Sequence, residues 1–148
     1  MVRVYEKYAW VVFLALGVLW VVVGFVQAFF PDGLAEVDAP LITGMSWSEL
    51  KALSPEATDL VRFLYGGMGI LKMSWSFFVL AITLTGYRKG EKWAWYTMLL
   101  VPIILVSSAL FNASFVGDVS QTLEWIPIMT VTLLGLLLPY RKFFPSKA

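Results

Sequence analysis

Cysteine and histidine are both absent from the sequence, and charge is scarce. Without thiols or imidazoles there are no disulfides, no thiol redox chemistry, no axial histidine for haem and none of the usual donors for zinc, copper or non-haem iron. The acids are scattered at the ends of apolar stretches, which argues against an all-carboxylate metal site. No cofactor is expected. Charged residues make up 14% of the 148 residues, where an ordinary soluble domain carries about 25%. The net charge is only +1, and no nucleic acid is expected among the partners.

What fills the chain is hydrocarbon: 59% hydrophobic residues, 16% aromatic, and a mean hydropathy of +0.79. Four long apolar stretches are separated by three short polar breaks, and each approaches or exceeds the roughly 20 residues needed to cross a bilayer. The expected fold is all-α, a single four-transmembrane-helix bundle with spans at about residues 8–30, 55–86, 93–115 and 121–138. The sequence Val26-Gln27-Ala28 weakly resembles a signal-peptidase site. The apolar run before it exceeds the 7 to 15 residues or so of a signal core, so an uncleaved membrane helix is expected.

Local signals mark the ends of these elements. Ser54 is placed as an N-cap, with Pro55 at the first helical position and Glu56 and Asp59 in the first turn, near the positive end of the dipole. Pro102 and Pro127 fall within the third and fourth spans, and Pro139 closes the fourth. Between the first two spans, Pro31, Asp32, Gly33, Pro40 and Gly44 predict a loop. Ser46-Trp47-Ser48-Glu49 then forms a capping box, with Trp47, Leu50 and Leu53 on one face. This predicts a short amphipathic helix over about residues 46–53, lying on the outer membrane surface.

Arg3 and Lys7, then Arg88, Lys89 and Lys92, then Arg141, Lys142 and Lys147 lie at alternate span ends. The opposite ends collect Asp32, Glu36, Asp38, Glu49, Glu56, Asp59, Asp118 and Glu124 against Lys51 alone. Both termini are therefore expected in the cytoplasm. Trp10, Tyr87, Trp93, Trp95 and Tyr140 stand beside the basic ends and read as an interfacial aromatic belt.

Lys72 lies well inside the second span, where a charge costs at least ~2.5 kcal/mol on insertion scales. Arg62, Tyr65, Gly69, Lys72, Ser76 and Thr83 fall within roughly one 80° sector of that helix, and Leu64, Met68, Leu71, Trp75, Phe78 and Ile82 occupy the other side. The polar sector is expected to face protein. At about 1.5 Å per residue, Lys72 lies ~24 Å from Arg88, Glu124 ~25 Å from Arg141 and Ser108 ~24 Å from Lys92, with Asn112 one turn farther out. This predicts one intramembrane polar site: Lys72 paired with Glu124 and hydrogen-bonded to Ser108, with Ser76, Tyr65 and Asn112 beside it and Arg62 and Asp118 near its outer mouth. The competing reading has Lys72 snorkelling outward from a purely structural position.

Gly66, Gly67 and Gly69 suit close helix packing and do not fit a nucleotide loop, which needs a strand-to-helix turn and different spacing. Asn112-Ala113-Ser114 matches a glycosylation sequon but sits too near the membrane surface for modification to be expected. The run Arg88-Lys89-Gly90-Glu91-Lys92 suits anionic headgroups, although determining topology is a sufficient role for it.

The stretch from Thr43 to Leu50 followed by Ser54-Pro55, and the stretch from Tyr87 to Trp95, resemble segments of a group of small prokaryotic four-helix integral membrane proteins of unassigned activity. The resemblance covers about the middle half of the chain. It implies a four-helix architecture and supplies no catalytic residue.

The leading expectation is a non-enzymatic membrane subunit or scaffold, surrounded by lipid and packed against other membrane subunits or copies of itself. The alternative is a small ligand or ion carrier using the Lys72–Glu124 site. A lipid-acting enzyme built on Lys72, Glu124, Ser76 and Ser108 is disfavoured, because no activating base or oxyanion hole is visible.

Overall fold

The computed structural model describes residues 4–116 and 125–145, and among these there is no strand. In chain order the helices are α1 (Val4–Tyr8), α2 (Trp10–Phe29), α3 (Pro31–Thr43), α4 (Trp47–Leu53), α5 (Pro55–Ile82) with a π-helical continuation over Thr83–Tyr87, α6 (Lys92–Met98), α7 (Leu100–Val116), α8 (Ile126–Leu137) and α9 (Tyr140–Phe143). Among the described residues, four runs are long and apolar enough to cross a membrane: Glu6–Phe29, Pro55–Tyr87, Lys92–Ser114 and Ile126–Phe143. They mark the chain as an α-helical membrane protein.

The chain divides into two compact units. Val18–Phe77 forms a continuous unit; Met1–Gly17 with Phe78–Ala148 forms a split one.

In the continuous unit the expected loop after the first span is instead helix α3. The same residues that suggested turns punctuate this helix. Pro31 occupies its first turn with Asp32, where a missing N–H costs nothing. Gly44 ends it in a left-handed conformation (φ 73°), its N–H donating to Pro40 O at 3.0 Å. Pro40 lies within the helix, a penalty of about 3 kcal/mol offset by tertiary packing. Ala35 and Ala39 bury one face against Trp47, with Leu50 and Val61 packed alongside.

The capping box of α4 forms as the sequence predicts, with Glu49 N–H donating to Ser46 Oγ at 3.2 Å and Ser46 N–H donating to Glu49 Oε2 at 2.7 Å. The Ser46 hydroxyl also donates to Glu49 Oε2 at 2.7 Å, and this bond first, then the one from Ser46 N–H, holds the Glu49 carboxyl below its ordinary pKa. Trp47 is buried, but Leu53 is 71% exposed, so the apolar face is shorter than the spacing suggested. Ser54 caps α5 through its hydroxyl, which accepts from Ala57 N–H at 3.3 Å. Helices α2 and α5 meet at glycine: a Cβ on Gly69 would stand 2.6 Å from Gly24 O and 2.8 Å from the Ala28 Cα. Gly67, by contrast, faces open space and has no such role.

The split unit is built on aromatics. Tyr87, only 1% exposed, makes an edge contact with Phe13 (centroids 5.0 Å apart) and packs on Phe143 (4.7 Å). Trp95 is buried too. Two of the five residues read as an interfacial belt are thus core, while Trp93 and Tyr140 remain about half exposed. A structural demand accounts for the burial. Pro139 has no N–H to give Gly135 O, and the helix breaks there, leaving carbonyls of α8 without helical partners. Tyr87 donates its hydroxyl to Gly135 O at 2.6 Å, and the Trp95 indole donates to Leu136 O at 3.0 Å.

Candidate functional site

Five residues of α5, at positions 62, 65, 69, 72 and 76, recur at alternating steps of three and four and so line one face of the helix. As the sequence predicts, this face is turned inward: Gly69 and Ser76 are buried, and Arg62, Tyr65 and Lys72 are half-buried. The opposite side presents Phe63 (74% exposed), Leu71 (70%) and Phe78 (68%).

Within the continuous unit the polar face meets α2 and α3. Lys72 Nζ donates to Gln27 Oε1 at 2.5 Å and stands 5.5 Å from the centroid of the Trp20 ring. Gln27 is buried, where an amide oxygen without a donor would carry a desolvation penalty, so the two groups answer each other's need. The Trp20 ring adds a cation–π surface to the ammonium. About two turns toward the acidic end, Tyr65 donates its hydroxyl to Asp38 Oδ2 at 2.6 Å. Arg62 grips Asp32 with two bonds, Nε to Oδ1 at 2.7 Å and Nη2 to Oδ2 at 2.8 Å, and gives a third to Asp59 Oδ1 at 3.1 Å. Such a fork is the strong geometry for a guanidinium and a carboxylate.

The hydrogen bond from Arg62 is the main cause holding the Asp32 carboxyl below its ordinary pKa; slight burial opposes it, and the charges of Arg62 and Lys51 reinforce it. The buried Trp47 indole N–H adds a small electrostatic pull on Asp32 while falling short of hydrogen-bond geometry.

The residues of the expected site are distributed over both units and beyond the described residues. Lys72, Ser76, Tyr65 and Arg62 share the stripe, and Ser76 Oγ donates to Lys72 O at 2.7 Å within the helix. Ser108, nominated as a partner of Lys72, is half-buried on α7 in the split unit, and Asn112 is exposed on the same helix. Glu124 and Asp118 lie outside the described residues. The partners supplied for the cations are Gln27 for Lys72 and Asp32 with Asp59 for Arg62. Sequence reasoning missed Gln27, Trp20 and Asp38 as site residues. Gln27 had a signal: it is the one amide in residues 8–30, a stretch otherwise without amides or charges. Asp38 has none, because the turn residues around it predict a loop.

Chemically the stripe is a set of matched pairs. Ser76 spends its hydroxyl on backbone and Tyr65 on a carboxylate, so neither is set against a general base. Among the described residues no group of His, Cys, Asp and Glu is arranged to hold a metal. Comparison with protein-family models, with curated proteins and with solved structures found no match.

Proposed function

We propose that this chain is a non-catalytic integral membrane subunit or scaffold that packs against other membrane subunits or copies of itself. One observation carries the reading: α5 spends its polar side within its own unit, on Asp32, Asp38 and Gln27, and turns Phe63, Leu71 and Phe78 outward. The pairs fasten α2, α3 and α5 together, and the outward side is left for lipid or a neighbouring chain. The chain belongs with the small prokaryotic four-helix membrane proteins it resembles. It resides in the plasma membrane with both termini cytoplasmic, which puts α4 on the outer surface.

Extraction with a gentle detergent followed by mass measurement tests this. A particle containing more than one 16.6 kDa chain, alone or with other proteins, is expected. A single-chain particle in native lipid discs would overturn the subunit reading.

A second reading, a small anion or ion carrier, is favoured by Lys72 itself. An ammonium has three donors, and Gln27 takes one of them. Under this reading Lys72→Met abolishes uptake into proteoliposomes while expression and particle mass stay unchanged.

A further inference from the structure

Three cations from three separate segments of the split unit converge on one cavity of about 300 Å³. Lys7 belongs to α1, Arg88 follows the π-helical end of the second span, and Lys142 lies in α9; Tyr8 and Trp10 complete the lining. Among the described residues, no acidic one lines the cavity. Glu6 and Glu91 stand near in sequence, and Glu91 accepts from the Trp93 indole.

Like charges repel, so their convergence requires holding. Arg88 is laid over the Trp10 ring, 4.9 Å from its centroid, and Lys7 over the Tyr8 ring at 5.2 Å. Lys142 Nζ donates to Arg88 O at 2.6 Å. The stem of Lys142 reaches that oxygen by crossing Gly90, where a Cβ would stand 3.1 Å from its Cε and 3.2 Å from its Cγ. Gly90 also has φ 82°, a left-handed turn that side chains resist. The 88–90 turn is therefore shaped around Lys142, and the three cations are held by rings and a carbonyl.

All three lie at span ends: Lys7 at the start of Glu6–Phe29, Arg88 just beyond Pro55–Tyr87, Lys142 at the close of Ile126–Phe143. Tyr8 and Trp10 are amphipathic rings of the kind that settle at headgroup level. We propose that this cavity binds the phosphate of an anionic phospholipid headgroup, with Lys7, Arg88 and Lys142 as its ligands. A basic pocket bounded by several spans at one membrane face, with aromatic walls, fits a phosphodiester whose acyl chains continue along the helices. A free phosphate shares the chemistry but has no use for the position at the span ends.

The proposal is tested on the full chain in nanodiscs of equal parts phosphatidylglycerol and phosphatidylcholine, counting retained lipid by native mass spectrometry. Wild type should retain phosphatidylglycerol over phosphatidylcholine by about fivefold, and K7Q/R88Q should lose most of that preference. K89Q/R141Q, which removes two exposed charges outside the cavity, should keep it. Helical content by circular dichroism checks that the variants fold. If the double variant does not, K7Q alone, at an exposed lysine, should lower the preference about twofold. Absence of preference in wild type, or equal loss in K89Q/R141Q, overturns the site. Displacement of retained lipid by excess inorganic phosphate overturns the lipid as its ligand. Particle mass, which tests the subunit reading, is read independently in the same spectra.

Discussion

The two units solve the problem of helix association in oil by different means. The continuous unit uses charge and amide: Arg62 on Asp32, Tyr65 on Asp38, Lys72 on Gln27. The split unit uses rings, with Phe13, Tyr87 and Phe143 packed together and Tyr87 and Trp95 spending their polar atoms on bare carbonyls of α8. Lipid tails are as apolar as leucine, so neither unit gains much from merely hiding hydrocarbon. What each gains comes from close fit and from polar groups that hydrocarbon leaves unanswered. The contrast lies in where those groups originate: in side chains of the continuous unit, in a proline-broken backbone of the split one.

Removing a ring should hurt most. Tyr87→Ala deletes a fully buried aromatic and exposes Gly135 O, and should cost about 3–5 kcal/mol by thermal unfolding in detergent. Tyr87→Phe keeps the ring and should cost only about 1 kcal/mol. If the two variants melt together, the carbonyl matters more than the packing and the contrast drawn above is wrong.

Next comes the glycine contact of the continuous unit. Gly69→Val places a side chain against Gly24 O and Ala28, which cannot yield without moving α2, and should cost about 1–3 kcal/mol or more. Gly67→Ala meets nothing and should be neutral or stabilising by up to about 1 kcal/mol.

The amide–ammonium pair gives a cycle. Lys72→Met strands the buried Gln27 amide and should cost about 1–3 kcal/mol. Gln27→Leu strands the ammonium and should cost at least as much, whereas Gln27→Leu with Lys72→Met should recover most of the loss. Additive losses in the double variant would show that the bond contributes nothing.

The smallest effect belongs to the partly exposed Arg62–Asp32 fork. Because Asp32 titrates lower in the folded chain, its contribution is whole above the ordinary carboxylate value of 3.8 and is lost as pH falls from there through the lowered value. Melting temperature should therefore drop over that acidic window in wild type. Asp32→Asn should flatten that part of the profile, and high salt should shrink it.

Much of this was legible in the sequence, and the residues show why. The spans declare themselves by length and apolarity, and the inward stripe by its spacing along α5, since a buried charge leaves few alternatives. The capping box at Ser46 and Glu49 is local chemistry and forms as read. Helix α3 is hidden in the sequence because Pro31 and Gly44 carry the same signals at the ends of a short helix as in a loop, and only the burial of Ala35 and Ala39 against Trp47 separates the two. Tyr87 and Trp95 stand beside basic residues, a pattern that points to the interface. Their destination depends on Pro139, more than forty residues downstream, a dependence that periodicity does not encode. Depth in the membrane points Lys72 toward Glu124 and passes over an amide on an adjoining helix.

Tyr87 and Trp95 flank the connector that joins the second and third spans, yet their donors land on consecutive peptide units of the fourth. The connector thus works as a gauge block. Inserting one residue between them would rotate the indole by about 100° about its helix and carry it off its acceptor. A surface turn that looks free to vary in length is in effect machined to a single size.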